Sequence, residues 1–86
     1  MVIGYTLINT KAGCDKDVFD KMLKVPYVRE VSYTDSPYKI IAKLDAPSIS
    51  ELGMTNWKRI REMDGVTDSM LIIALLHQEV EQPKSS

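Results

Sequence analysis

The sequence predicts an α+β fold with the element order β-α-β-β-α-β. Three observations predict it. Strand-like stretches stand at the start of the chain and near its end, Val2 to Asn9 and Val66 to His77. Two amphipathic segments with helix start and stop signals lie between them. Two short alternating runs, joined by a turn, separate those helices.

Each element follows from its residues. In Val2 to Asn9, Ile3, Tyr5 and Leu7 point one way and Val2, Thr6 and Ile8 the other, the period of a strand. Lys11-Ala12-Gly13 breaks it. A helix is expected from about Cys14 to Lys24, with Asp15 and Asp17 at the positive end of its dipole. Val18, Phe19, Met22 and Leu23 form its apolar stripe, and Pro26 stops it. Val28 to Thr34 and Tyr38 to Asp45 read as strands across the turn-forming Asp35-Ser36-Pro37, hence an antiparallel hairpin. Ser48-Ile49-Ser50-Glu51 has the pattern of a capping box, which opens a second helix running to about Met63. Ile49, Leu52, Ile60 and Met63 are its expected core stripe. Gly53 weakens that helix and suggests a close approach; Gly65 suits a left-handed cap. Met70 to Leu76 is apolar on both faces of the last strand.

This order is the split-βαβ, ferredoxin-like arrangement: a four-stranded antiparallel sheet with two helices on one face. The other face has no cover within one chain, and bulky apolar residues of the last strand lie on it. A second subunit is the simplest lid, giving a dimeric α/β barrel. Residues 1–77 are expected to form the domain and 78–86 a flexible C-terminal tail.

Composition narrows the function. The 86 residues suffice for one domain, and 44% are apolar. A chain this short buries only ~60–65% of its unfolded surface, so packing and association must supply stability. One cysteine, Cys14, excludes an internal disulfide and most zinc sites. A net charge of −1 lacks the footprint of a nucleic-acid binder, and the basic run Lys58-Arg59-Ile60-Arg61 sits among Glu51, Glu62 and Asp64 as a solvated face. No leader pattern opens the chain and no run approaches the ~20 apolar residues of a membrane span, so a cytoplasmic protein is expected.

Few residues suggest chemistry. His77, the one histidine, is either a strand-end residue or a proton switch. Cys14 stands near a helix start, which lowers a thiol pKa, but Asp15 and Asp17 oppose this. Cys14, His77 and the five methionines show no metal-ligand spacing, and the methionines read as core and interface filler. Trp57 lies off the helix's core stripe, at a helix flank or a subunit contact. No phosphate loop or nucleophile elbow appears, and no cofactor is expected.

A series of segments resembles the ligand-binding (RAM) domains of the Lrp/AsnC class. They are Leu7-Ile8-Asn9-Thr10-Lys11-Ala12-Gly13, Pro26-Tyr27-Val28-Arg29-Glu30-Val31, Ile40-Ile41-Ala42-Lys43, Ser48 to Leu52, Lys58 to Val66 and Leu71 to Leu76. The resemblance covers residues 1 to about 77. It implies a domain that senses an amino-acid-like effector, assembles from dimers into an octamer-like oligomer, and acts through full-length Lrp/AsnC regulators. Those regulators carry an N-terminal helix-turn-helix; here the first strand opens the chain, so direct nucleic-acid contact is not expected. By the same analogy Tyr33, Thr34, Asp35, Ser36, Tyr38, Lys39, Thr67, Asp68 and Ser69 help to form an effector pocket between dimers. Ordinary turn chemistry explains the same hairpin residues. Where relatives often carry Gly-x-x-Asp at the hairpin, this chain has Ser36-Pro37-Tyr38-Lys39, an ammonium in place of a carboxylate. The alternatives are a small dimeric α+β-barrel enzyme using His77 and the tyrosines, and a structural or metal-binding oligomer that has lost amino-acid binding.

Overall fold

The computed structural model describes residues 1–83. The chain forms β1 (Val2–Thr10), α1 (Asp15–Met22), β2 (Val28–Tyr33), β3 (Ile40–Ala46), α2 (Ile49–Thr55), a π-helical segment (Asn56–Arg61) and β4 (Val66–Ala74). The strands make one antiparallel sheet in the order β2-β3-β1-β4. This is the ferredoxin-like α+β fold.

Alternation along the strands separates two faces. Thr6 and Ile8 of β1 and Ile40, Ala42 and Leu44 of β3 point towards the helices and are fully buried. Val18 and Met22 of α1, Leu52 of α2 and Ile60 of the π segment close over them. Gly4 belongs to this side: a Cβ there would stand 3.1 Å from the Leu52 side chain, so the close approach of helix to sheet falls on the strand glycine. Around Gly53, where such an approach was expected, a Cβ would meet nothing within 4 Å.

The second helix differs from the expected one. It reaches Arg61 rather than Met63, and its second half is π-helical. Leu52, Asn56 and Ile60 are spaced by four. In an α-helix such a row drifts by about 40° per step, because four residues exceed the 3.6 of one turn. The wider π turn winds the row back and keeps Ile60 inward. Ile49, expected inside, is 52% exposed at the first turn. Leu23, expected on the first helix's stripe, lies just past the end of α1 and is exposed as well. The Ser48 hydroxyl accepts from the Glu51 amide at 3.1 Å, but the Glu51 carboxylate does not reach back to close the box. It accepts the Tyr27 hydroxyl instead, at 3.1 Å.

Gly65 is the expected left-handed stop, at φ +93°. Its carbonyl accepts from the Lys11 amide at 2.8 Å, tying the start of β4 to the end of β1. β4 ends at Ala74 rather than His77, because Ala74 already pairs with Ile3, near the first residue of β1, and little partner strand remains beyond it. Residues 78–83 carry neither helix nor strand; residues 84–86 of the expected tail lie outside the described residues.

The other sheet face is uncovered in the single chain. Its rows, read across the strands by register, are Ser32–Ile41–Leu7–Met70, Glu30–Lys43–Tyr5–Ile72 and Asp45–Ile3–Ala74. β1 and β4 supply only apolar or aromatic residues to these rows, and the charges lie on β2 and β3. Met70 is 45% and Ile72 47% exposed there.

Candidate functional site

The residues singled out in the sequence gather at one end of the sheet. There β1 finishes, the β2–β3 hairpin turns and β4 begins. Ile8 shows the geometry: it pairs with Ile40 on one side and Ser69 on the other. The hairpin and the start of β4 thus flank a single strand, two strand spacings or roughly 10 Å apart.

The hairpin is closed by its own side chains. Thr34 and Ser36 share a hydroxyl–hydroxyl bond at 2.9 Å, and both hydroxyls also contact the Tyr38 carbonyl. The Tyr38 amide donates to Ser36 Oγ at 3.2 Å, and the Thr34 amide to the Lys39 carbonyl at 2.9 Å. Turn chemistry therefore engages Thr34 and Ser36. Asp35 and Lys39 remain exposed. The Tyr33 ring stacks on Phe19 of α1, 4.6 Å between centroids, so it leans towards the helical layer.

Across β1, Thr67 is exposed, Asp68 is half-buried and Ser69 is buried. Ser69 Oγ has no hydrogen-bond partner in the structure. Arg61, read in the sequence as part of a solvated basic face, organises this corner. It donates to the Ser69 carbonyl at 3.3 Å, approaches Asp68 at 3.6 Å and lies over the Trp57 ring at 5.5 Å. Trp57 itself is 55% exposed, in keeping with a position off the core stripe.

A second polar feature lies deeper. The Thr6 hydroxyl donates to the Asn56 side-chain oxygen at 2.8 Å, both residues being buried. The signal was available: Asn56 sits midway between Leu52 and Ile60 at the same spacing of four.

The nine candidates line neither of the two cavities that flank the sheet and α2. One, of about 430 Å³, lies at the opposite end of the sheet, beside Ile3, Asp45 and Ile49. His77 lines it, three residues beyond the end of β4 and exposed. The other, of about 220 Å³, lies between α2 and the loop before β2, beside Tyr27 and Met54. Cys14 is a partly buried free thiol at the N-terminus of α1. Among the described residues no three His, Cys, Asp or Glu side chains converge to hold a metal, and no helix is long and apolar enough to cross a membrane.

No protein-family model and no curated protein matches the chain. Solved structures do. AsnC of E. coli superimposes with a TM-score of 0.87 over 98% of this chain at 22% identity. The chain has the Lrp/AsnC-type fold. It spans 57% of AsnC's own length. A hypothetical protein from Pyrococcus horikoshii is of about the same size and superimposes with a TM-score of 0.80 at 28% identity, over 90% of this chain and 93% of that one. A transcriptional regulator from Neisseria meningitidis, solved as a complex with L-Met, shares the fold at a TM-score of 0.79 and 13% identity, over 99% of this chain and 55% of its own.

Proposed function

We propose that this domain senses a small, amino-acid-like effector as an oligomer and acts on transcription through a partner regulator. One observation carries the reading. The sheet face opposite the helices is apolar on its β1–β4 side, with Tyr5 and Leu7 on β1 beside Met70 and Ile72 on the edge strand β4, in a fold shared with transcription regulators. A second copy laid on that face buries it and makes a dimer. Higher assembly then brings hairpin ends together, with Asp35, Tyr38, Lys39, Thr67 and Asp68 contributing polar groups around the effector. Tyr33, Thr34, Ser36 and Ser69 hold the walls of that site.

The L-Met complex of the Neisseria meningitidis regulator suggests the ligand class. Lys39 adjusts it: an exposed ammonium attracts the carboxylate end of an effector, not its amino end. The test is an NMR titration of the full chain with single L-amino acids and their 2-oxo acid counterparts. Saturable shifts confined to residues 33–39 and 67–69 support the reading. If every compound leaves those resonances unmoved, the effector role is wrong.

A further inference from the structure

Between α2 and the loop before β2 lies a slot of about 220 Å³, in the helical layer and at the end of β2 opposite the hairpin. We infer that it is a docking site for a partner protein, and that it takes an acidic segment by one bulky apolar side chain with carboxylates following it. Pro26, Tyr27 and Met54 give the slot apolar walls, and the exposed Lys58 and Arg59 stand at one end of it. Neither cation makes an ion pair among the described residues. The basic run read from the sequence thus splits: Ile60 is buried, Arg61 turns to Asp68 of β4, and Lys58 and Arg59 are left at the slot. The slot's one carboxylate, Glu51, lies two turns back along the helix, roughly 10 Å from Lys58, and accepts the Tyr27 hydroxyl at 3.1 Å. Positive charge is unmatched at the Lys58 end alone, and a carboxylate beside the apolar group answers it.

One wall is preset. Tyr27 is the one non-glycine residue at positive φ among the described residues, at +71°. A tyrosine held there is strained, and such strain persists only where the surroundings enforce it. Here the Tyr27 carbonyl accepts from the Asp45 amide at 2.9 Å and its hydroxyl bonds Glu51, which pins the ring against α2. The size points to a protein rather than a metabolite. The slot is smaller than the roughly 300–1,000 Å³ of small-ligand sites and suits a single side chain. Apolar surface continues beyond it: Met54 is 56% and Trp57 55% exposed, three residues apart and so neighbours on the helix. An exposed Trp beside cations is the kind of anchor that protein interfaces favour. A second copy on the open sheet face leaves this surface free, so docking here and the effector site succeed or fail separately.

The test is an NMR titration of the full chain, labelled at amides and methionine methyls, with the peptide acetyl-Leu-Glu-Glu-amide. Acetyl-Leu-Gln-Gln-amide lacks the charges and acetyl-Ser-Glu-Glu-amide lacks the apolar side chain, and they serve as controls. The expected result is a saturable shift of the Met54 methyl and of the Tyr27, Lys58 and Arg59 amides, with each control binding about tenfold more weakly. Lys58→Gln combined with Arg59→Gln lowers the affinity by a similar factor, and Met54→Asp abolishes binding. All three side chains are exposed, so these variants keep the fold. No saturable shift at these residues, equal binding of either control, or undiminished binding by the double variant overturns the proposal. Acetyl-leucine binding as tightly as the peptide also overturns it, since the slot then takes a metabolite. So does a shift of the Met54 methyl in the peptide-free chain on Val80→Asp, because the chain's own Glu79-Val80-Glu81 then fills the slot.

Discussion

The Thr6 hydroxyl and the Asn56 side chain, 50 residues apart in sequence, meet at 2.8 Å between the central strand and the π-helical segment. The pair fixes how the helix sits on the sheet. Thr6→Val removes the donor and leaves a buried amide oxygen without a partner, which costs about 1–3 kcal/mol. Thr6→Val with Asn56→Leu removes both polar groups, and the double variant is expected to lose less than the two single changes combined. Urea unfolding of the four proteins checks this. Additive losses would show that the two side chains do not act as a pair.

Gly65 stands at φ +93°, and a Cβ there would lie 2.9 Å from Val18 Cγ2 and 3.1 Å from Cys14 Cβ. Gly65→Ala therefore meets both backbone strain and a clash. The expected loss is about 1–3 kcal/mol from the backbone conformation alone. Gly53→Ala is the control: a Cβ there meets nothing within 4 Å, and alanine favours the helix, so stability is expected to rise slightly. Thermal unfolding separates the two, and equal effects would contradict the account.

Tyr27 donates its phenolic proton to Glu51 at 3.1 Å, and this hydrogen bond, with smaller contributions from burial and the Glu51 charge, raises its pKa above the usual 10.0. A raised folded-state pKa favours the neutral form in the fold. Its contribution to stability is complete below the unfolded pKa and is lost as pH rises through the folded value. Ultraviolet titration of the tyrosines should show one phenol ionising above pH 10.0, and Glu51→Ala should return it towards that value. A titration unchanged by Glu51→Ala would remove the pairing from the account.

Much of the fold was legible in the sequence, and the failures have physical causes. The order of elements along the chain followed from period-two alternation, from Gly65 and from the Ser48 cap, all of them local signals. The π turn was not legible: it keeps Ile60 in the buried row with Leu52 and Asn56, and that depends on packing against the sheet, which local spacing does not show. Ile49 and Leu23 misled for the same reason, since apolar spacing tells which side a residue faces but not whether anything lies beneath it. The last strand was read three residues too long because apolar residues continue to Leu76 after the partner strand has run out. At the candidate site, the turn residues were placed by composition. Arg61 reads as part of a solvated basic run because its targets, the Ser69 carbonyl and the Asp68 carboxylate, come near it only after β4 folds back.

Self-association through the open sheet face is the central claim. Native mass spectrometry of the wild-type chain beside Ile72→Asp tests it most directly, since Ile72 is 47% exposed on that face, next to Tyr5 on the edge strand β4. The account predicts a dimer or a multiple of it for the wild type at micromolar concentration, and a folded monomer for Ile72→Asp. A wild-type chain that stays monomeric, or an Ile72→Asp variant that assembles as well as the wild type, would contradict it.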